Sequence, residues 1–259
     1  MIIRNGSCIL EAHRGVSSEY PENTMAAYRA AVDLGYGMIE LDARFTMDNR
    51  CVMMHDRTLS RTTRLPDGSE HSENIPISSA SFDFVRTLDA GLHKGDRFRG
   101  EPVPSLEEVI MLSQQAGVPL KFDNILMSYT SEQLAIFFDT VEQLHAWNHV
   151  GFTVNTPSFA QKILEHCASA VIHFDGPLTE DNLKTLSGFV PHDHLYIWGR
   201  FDNRITSWCK TPPVTPETAQ RIHEIGRLGI WLLTEQEEYD IAGHTLHADV
   251  VETDGRLRP

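Results

Sequence analysis

The sequence predicts an α/β protein, a (β/α)8 TIM barrel with a small insertion between the second strand and its helix. Eight short apolar segments alternate with longer amphipathic segments along the chain. Strict alternation of this kind is typical of a parallel sheet. The chain has 259 residues, which suits a closed barrel of eight repeats better than an open doubly wound sheet. We therefore expect residues 1–259 to form a single barrel domain.

The predicted strands are 9–13, 38–42, 120–123, 151–154, 171–174, 195–198, 230–233 and 249–252. The predicted helices are 24–34, 106–116, 132–147, 158–166, 180–186, 216–228 and 235–243. Two of these helices carry end signals. Asn23 is the predicted N-cap of the first, and Gly35 is its left-handed stop. Pro216 opens the helix at 216–228, and Gly229 follows as its predicted stop.

The segment after the second strand breaks the alternation. Asp48-Asn49 is a turn signal between two short β-like runs, so the sequence predicts a hairpin there. Residues 57–104 follow without a convincing helical period and are rich in Gly and Pro. A loop of this length is uncommon unless it is functional. We expect 57–104 to be an insertion that lies over the ends of the barrel strands.

Composition excludes several classes of protein. The chain has 22 Lys and Arg against 36 Asp and Glu, a net charge of −14, whereas coating DNA or RNA needs a basic surface. No apolar run approaches the roughly 20 residues of a membrane span, and the first residues lack the apolar core of a signal peptide. The four cysteines show no paired spacing along the sequence. They are Cys8, Cys51, Cys167 and Cys209. They predict reduced thiols in a cytoplasmic protein.

The first group with possible chemistry is His13-Arg14-Gly15, at the end of the first predicted strand. Polar groups at the C-terminal ends of barrel strands face the active site. His13 can exchange a proton near neutral pH, and Arg14 can hold an anion through two hydrogen bonds. The alternative is a structural His–Arg pair in a loop.

The second group is Glu40 and Asp42. They are two residues apart on one strand, so both point to the same side. Two like charges in a partly buried cavity are costly without a cation, which favours a hard divalent ion, Mg²⁺ or Ca²⁺. The alternative is an exposed acidic strand. His55 supplies a second imidazole that Asp56 can orient; the alternative for His55 is a satisfied core histidine.

Together these motifs resemble the glycerophosphodiester phosphodiesterase family. In order they are His13-Arg14-Gly15, Pro21-Glu22-Asn23-Thr24, Glu40-x-Asp42, Thr46-x-Asp48 and His55-Asp56-x-x-Leu59-x-Arg61-Thr62-Thr63. The ordered set over residues 11–63 is specific, whereas Gly229-Ile230-Trp231 and residues 248–254 agree more loosely.

The resemblance implies a role for each matching position. Glu40 and Asp42 match metal ligands, and His13 and His55 match the general acid/base pair. By analogy with the family, His13 is the base and His55 the acid. Arg14 matches a phosphate contact. Trp231 matches an apolar wall beside the substrate, with a core barrel residue as the alternative.

The third barrel strand departs from the family, which usually carries Glu-x-Lys there. Here the strand reads Lys121-Phe122-Asp123-Asn124-Ile125. Our alignment puts Asp123 at the Glu position as the third metal ligand, and Ile125 where the family has Lys. Lys121 lies on the same strand face as Asp123. It either replaces the missing cation as a substrate contact or pairs with the carboxylates inside the barrel.

The resemblance implies a metal-dependent phosphodiesterase with one divalent cation, Mg²⁺ or Ca²⁺. It would hydrolyse a small glycerophosphodiester to an alcohol and glycerol phosphate by His acid/base catalysis. The insertion would help to choose the head group through residues such as Phe82, Phe84, Leu92 or Lys94. Two alternatives stay open: a phospholipase-D-like lyase that releases a cyclic phosphate, and a non-catalytic barrel homologue. The sequence leaves the head group, the choice of metal and the oligomeric state open.

Overall fold

The computed structural model describes residues 8–202 and 211–259. Its strands are β1 (Ile9–His13), β2 (Met38–Leu41), β3 (Ala43–Phe45), β4 (Cys51–Met53), β5 (Leu120–Phe122), β6 (Val150–Val154), β7 (Val171–Phe174), β8 (Leu195–Arg200), β9 (Arg227–Trp231) and β10 (Val250–Thr253). Its α-helices are α1 (Met25–Leu34), α2 (Phe82–Thr87), α3 (Leu106–Ala116), α4 (Ser131–Gln143), α5 (Pro157–His166), α6 (Glu180–Ser187), α7 (Pro216–His223) and α8 (Gln236–His244).

Eight parallel strands of the described chain close into a barrel in the order β1-β10-β9-β8-β7-β6-β5-β2, and β2 pairs with β1. This confirms the predicted (β/α)8 fold. The register sets His13 beside Glu40 and Glu40 beside Lys121 on neighbouring strands. Side chains alternate across a strand, so residues in register share a face of the sheet. The three polar side chains therefore lie next to one another around the wall.

The predicted end of one helix is wrong. Helix α7 ends at His223, and β9 begins at Arg227, so the predicted stop Gly229 lies inside a strand. A Cβ at Gly229 would come within 2.5 Å of the Trp198 ring. Gly229 is therefore required for packing inside the barrel rather than for ending a helix.

The predicted cap of α1 is also wrong. Thr24, not Asn23, is the N-cap, and its hydroxyl accepts a hydrogen bond from the Ala27 amide. Asn23 adopts a left-handed backbone with φ 55°, and its side chain turns into the barrel. Gly35 ends the helix in a left-handed conformation, as predicted.

The hairpin after the second strand is confirmed, because β3 and β4 pair antiparallel. Residues 57–104 contain one short helix, α2, and two 3-10 turns, Ile77–Ser79 and Asp96–Phe98. Their apolar side chains form a small core with β4 that includes Val52, Leu59 and Val85. A six-residue helix covers less than two turns, which is too short to give a readable period.

The inserted segment packs on the loop between β1 and α1 and on the first turn of α1. Lys94 Nζ donates to the Ser17 carbonyl at 2.7 Å, and Glu101 Oε1 accepts from the Ala26 amide at 2.8 Å. Phe82 and Phe84 pack on the segment's own apolar core, and Leu92 lies against Gly68.

Two expectations from composition concern the chain as a whole. In residues 8–202 and 211–259, no helix is long and apolar enough to cross a membrane. Three of the cysteines, Cys8, Cys51 and Cys167, are free thiols. Cys209 and the first seven residues lie outside the described ranges.

Candidate active site

A cavity of about 460 Å³ opens at the C-terminal ends of the barrel strands. All eight residues that the sequence predicts for the site line it: His13, Arg14, Glu40, Asp42, His55, Lys121, Asp123 and Trp231. Six further residues line the cavity that were not predicted from the sequence: Asn124, Thr153, Asp175, Trp198, Leu232 and Glu252. Several of these could have been found, since they lie at or just beyond the ends of predicted strands. Phe82, Phe84, Leu92 and Lys94 are not among the lining residues.

Three carboxylates meet on one side of this cavity. One oxygen from each of Glu40, Asp42 and Asp123 lies within 4.8 Å of the other two. Burial raises the pKa of Asp123 to about 6, and the charge of Asp42 adds to the effect. Burial and the same neighbour raise the pKa of Glu40. Three converging hard oxygen ligands in a partly buried site fit a divalent cation such as Mg²⁺ or Ca²⁺.

The turn after β1 fixes two of these carboxylates. The Arg14 amide donates to Glu40 Oε2 at 2.9 Å, and Arg14 Nε lies 3.2 Å from Asp42 Oδ2. The turn is tight, because a Cβ on Gly15 would come within 2.7 Å of the Ala27 backbone. The His-Arg-Gly string therefore brings a guanidinium against the acidic cluster.

Asn23 is a further residue that holds Asp42 in place. Its Nδ2 donates to Asp42 Oδ2 at 2.8 Å, while its Oδ1 accepts from the Asp42 amide at 3.1 Å and from the Tyr28 hydroxyl at 2.8 Å. Asn tolerates the left-handed backbone better than most residues. Asn23 thus positions the Asp42 carboxylate. This role was not predicted, because the sequence pattern assigned Asn23 to the helix cap.

The two imidazoles have different surroundings. Burial lowers the pKa of His13, whose Nε2 lies 3.9 Å from Glu40 Oε2. The His55 side chain is 44% exposed, and its Nδ1 lies 2.8 Å from Asp56 Oδ1. Asp56 therefore orients the His55 ring, as the sequence predicted.

A chain of charged groups continues from Asp56. Arg61 donates two hydrogen bonds to Asp56, at 2.6 and 3.0 Å, and two to Glu22, at 2.9 and 2.7 Å. Glu22 also accepts from Arg14 at 3.1 Å. Hydrogen bonds from Arg61 lower the pKa of Asp56 to about 2. This charged chain (Asp56, Arg61, Glu22) links the two ends of the site, His55 and Arg14.

Lys121 is paired inside the barrel. Its Nζ lies 2.6 Å from an oxygen of Glu11 and 2.6 Å from one of Glu252, and 3.5 Å from the centre of the Trp198 ring. Burial would lower the pKa of Lys121, but the two carboxylates raise it. This geometry matches the second of the two roles expected for Lys121, the internal partner of carboxylates. Its predicted substrate contact stays a prediction.

Ile125 lies in the 3-10 turn Asn124–Ser128 that follows β5. It lines a neighbouring hollow of about 420 Å³ together with Arg44 and Arg57. Two guanidinium groups therefore stand beside the position where the family has its lysine. Arg44 Nε donates to the His55 carbonyl at 2.9 Å, which ties this hollow to the second imidazole.

Comparison with known proteins supports the resemblance. The model of the Glycerophosphoryl diester phosphodiesterase family matches residues 13–166, more than half of the chain. A glycerophosphodiester phosphodiesterase of Caldanaerobacter subterraneus subsp. tengcongensis is 41% identical over 101 residues. That alignment covers 39% of this chain and 38% of the relative, so the chain spans less than half the length of this relative.

Two solved structures share the fold along nearly the whole chain. An Oleispira antarctica phosphodiesterase in complex with the product sn-glycerol-3-phosphate has a TM-score of 0.74 at 20% identity, covering 96% of this chain and 93% of that one. A glycerophosphodiester phosphodiesterase from Agrobacterium tumefaciens has a TM-score of 0.64 at 23% identity, covering 95% and 96%. The matched motifs, the barrel and the family model agree, and the chain belongs to the glycerophosphoryl diester phosphodiesterase family.

Proposed function

We propose that the chain is a divalent-cation-dependent phosphodiesterase that hydrolyses glycerophosphodiesters to an alcohol and glycerol phosphate. One observation carries the proposal: three converging carboxylates, two imidazoles and an arginine line a single cavity. The proposed metal ligands are Glu40, Asp42 and Asp123. A divalent cation held there would supply positive charge to the phosphate oxygens.

The proposed mechanism assigns a task to each remaining group. Arg14 holds a second phosphate oxygen through its guanidinium. His13, kept neutral by burial, takes a proton from the attacking hydroxyl. His55, oriented by Asp56, gives a proton to the leaving alcohol. Trp231 forms part of the wall beside the substrate.

The attacking group proposed here is the neighbouring hydroxyl of the substrate's own glycerol. Intramolecular attack benefits from a high effective molarity. It gives a cyclic phosphate, and water then opens the ring with the two imidazoles in reversed roles. A lyase would stop before this second step.

A screen of activity against several glycerophosphodiesters, titrated with Mg²⁺ and Ca²⁺ and followed by ³¹P NMR, tests the proposal. Turnover should depend on the cation, stop with a chelator, and give glycerol phosphate. The Asp123→Asn variant should lose activity, whereas Asp254→Asn, at a carboxylate that does not line the cavity, should retain it. A cyclic product that persists would show a lyase. If the wild type neither turned over a substrate nor bound a cation, the chain would be a non-catalytic barrel.

We also propose that residues 1–259 form one phosphodiesterase barrel domain and that 57–104 act as an insertion over its active-site face. The contacts of Lys94 with the loop after β1 and of Glu101 with the first turn of α1 support this placement. That loop carries Arg14, so the insertion acts on the site through the loop.

A further inference from the structure

Asp175 is a carboxylate of the cavity for which the proposed mechanism has no use. It follows β7 directly, whereas the acidic cluster of Glu40, Asp42 and Asp123 lies on and after β2 and β5. One strand, β6, therefore lies between the strands that precede Asp175 and Asp123 in the barrel wall. Asp175 lines the same cavity, so a substrate whose phosphate met the acidic cluster would place another of its groups against Asp175.

The contacts of Asp175 leave its charge unbalanced. Its Oδ1 accepts a hydrogen bond from Trp231 Nε1 at 3.3 Å. Among the described residues, no Lys, Arg or His lies within ion-pair distance of it. A carboxylate withdrawn from water without a cationic partner is costly. The neutral indole N–H only partly offsets this cost.

Thr153 adds a second polar group to the same wall. It lies on β6 in register with His173, two residues before Asp175 on the neighbouring strand. The side chain is 2% exposed, and its hydroxyl has no hydrogen-bond partner although it lines the cavity. A buried hydroxyl without a partner is uncommon, and here it faces the space that a ligand would occupy.

The combination of these groups indicates the chemistry of the ligand. A carboxylate next to an indole is suited to an ammonium group, since the carboxylate balances its charge and the ring attracts it. The Thr153 hydroxyl can accept one further N–H. A neutral polyol could donate hydrogen bonds to Asp175, but it would leave the buried charge unbalanced.

We infer that Asp175, with Trp231 and Thr153, forms a head-group subsite that selects glycerophosphodiesters whose alcohol carries an ammonium group. The inference rests on the proposed function and deepens it. Asp175 acts on the departing alcohol and is not needed for proton transfer.

The test compares two substrates, glycerophosphoethanolamine and glycerophosphoglycerol, with wild type and Asp175→Asn. Asn keeps the shape and an acceptor for Trp231 but removes the charge. We expect kcat/KM for the ethanolamine substrate to fall about 10-fold or more, mainly through KM. The glycerol substrate should change by no more than about 2-fold, because a lost ion pair penalises only the charged ligand. Asp175→Glu should restore part of the selectivity, and Asp254→Asn is the matched control.

The outcomes separate the inference from the function on which it rests. Equal losses for both substrates, in a variant that melts at the wild-type temperature, overturn the inference and leave Asp175 a structural group. A larger loss for the glycerol substrate also overturns it and shows a polyol subsite. If the wild type turns over neither substrate at any cation concentration, the proposed function itself fails.

Discussion

His13 and His55 have the same side chain but different surroundings, and these surroundings suit the two roles proposed for them. Burial lowers the pKa of His13, which favours the neutral ring that a base needs. His55 is more exposed and has a carboxylate on Nδ1. A carboxylate in that position fixes the orientation of the ring and leaves Nε2 free to face the cavity.

Substituting either imidazole should remove most of the turnover. We expect His13→Ala and His55→Ala each to lower kcat about 100-fold or more, the usual contribution of general acid/base catalysis. The variants should keep the wild-type melting temperature. His244→Ala, at an exposed position on α8, is the matched control. Near-normal kcat in one of the two variants would remove that residue from the mechanism.

The charged chain of Asp56, Arg61 and Glu22 predicts a pH-dependent stability. Burial would raise the pKa of Glu22, but hydrogen bonds from Arg61 and the charge of Arg14 lower it to about 2, and Asp56 is lowered to about 2 as well. Both folded pKa values lie below the ordinary ones. The stabilisation is therefore complete above about pH 5 and is lost as the pH falls through about 2.

Urea unfolding of wild type and Arg61→Ala between pH 2 and 7 measures this effect. Because the Arg61 side chain is 48% exposed, screening limits the expected loss to about 1 kcal/mol at pH 7. The difference should shrink towards zero near pH 2. Arg99→Ala, at an exposed pair with Asp96, should show little change at any pH. A difference that is constant with pH would mean that Arg61 stabilises through packing alone.

A residue of the site could be predicted from the sequence where it belongs to a recognisable motif or where strand alternation shows which way its side chain points. Glu40 and Asp42 could be paired because they are two apart on one strand. The role of Asn23 could not be predicted, because its left-handed backbone and its contact with Asp42 arise only once the loop closes on β2. The partners of Lys121 come from β1 and β10, which lie far apart in sequence.

At the scale of elements, the loop formed by residues 91–100 can be deleted without moving the residues on either side of it. The Ala90 amide donates to the Glu101 carbonyl at 2.7 Å, so the two ends of the loop already meet. Within the loop, Lys94 and Arg97 donate to carbonyls of the β1–α1 loop, at Ser17 and Glu19. An Asn-Gly turn could replace 91–100, since such turns close two-residue hairpins.

We expect this excision to change head-group preference or KM several-fold while leaving cation affinity intact. The β1–α1 loop, which carries Arg14, would lose the contacts at Ser17 and Glu19, whereas β2 and β5, which position the three carboxylates, would keep their pairing in the barrel. Kinetics on several head groups and calorimetric titration with Mg²⁺ measure the two effects. The double substitution Lys94→Ala with Arg97→Ala, which removes only the contacts, is the matched control. Unaltered kinetics in both would assign the loop a structural role alone.

The elements themselves were predictable where packing follows local pattern. Helix α3 has the predicted bounds because Ser105 and Glu108 form a capping box and Gly117 ends the helix. The error at α7 has a tertiary cause, since residues 227–231 pair with β8 and β10 as a barrel strand, and Gly229 within that strand lies against the Trp198 ring. Local pattern carries no information about that ring.

For the whole molecule, the cost of gathering like charges predicts that a cation stabilises the fold. A ligand at about 100 times its Kd adds about 2.7 kcal/mol, which for a chain of this size raises Tm by roughly 5–10 °C. Differential scanning calorimetry with increasing Mg²⁺ or Ca²⁺ measures the shift. Asp123→Asn should abolish most of it, and Asp254→Asn should keep it. An equal shift in Asp123→Asn would place the ion elsewhere.

The barrel interior beneath the cavity is filled by side chains, which leaves a ligand only one route into the cavity. Beneath the cavity, the Lys121 ion pairs and the Trp198–His173 contact of 2.9 Å close the interior, and a separate hollow lies at the opposite end. In the part of the chain that the structure describes, the cavity is therefore a dead end. In the proposed reaction, substrate and both products would use the same opening, so a bound product would exclude the next substrate molecule. Turnover should then show competitive inhibition by glycerol phosphate.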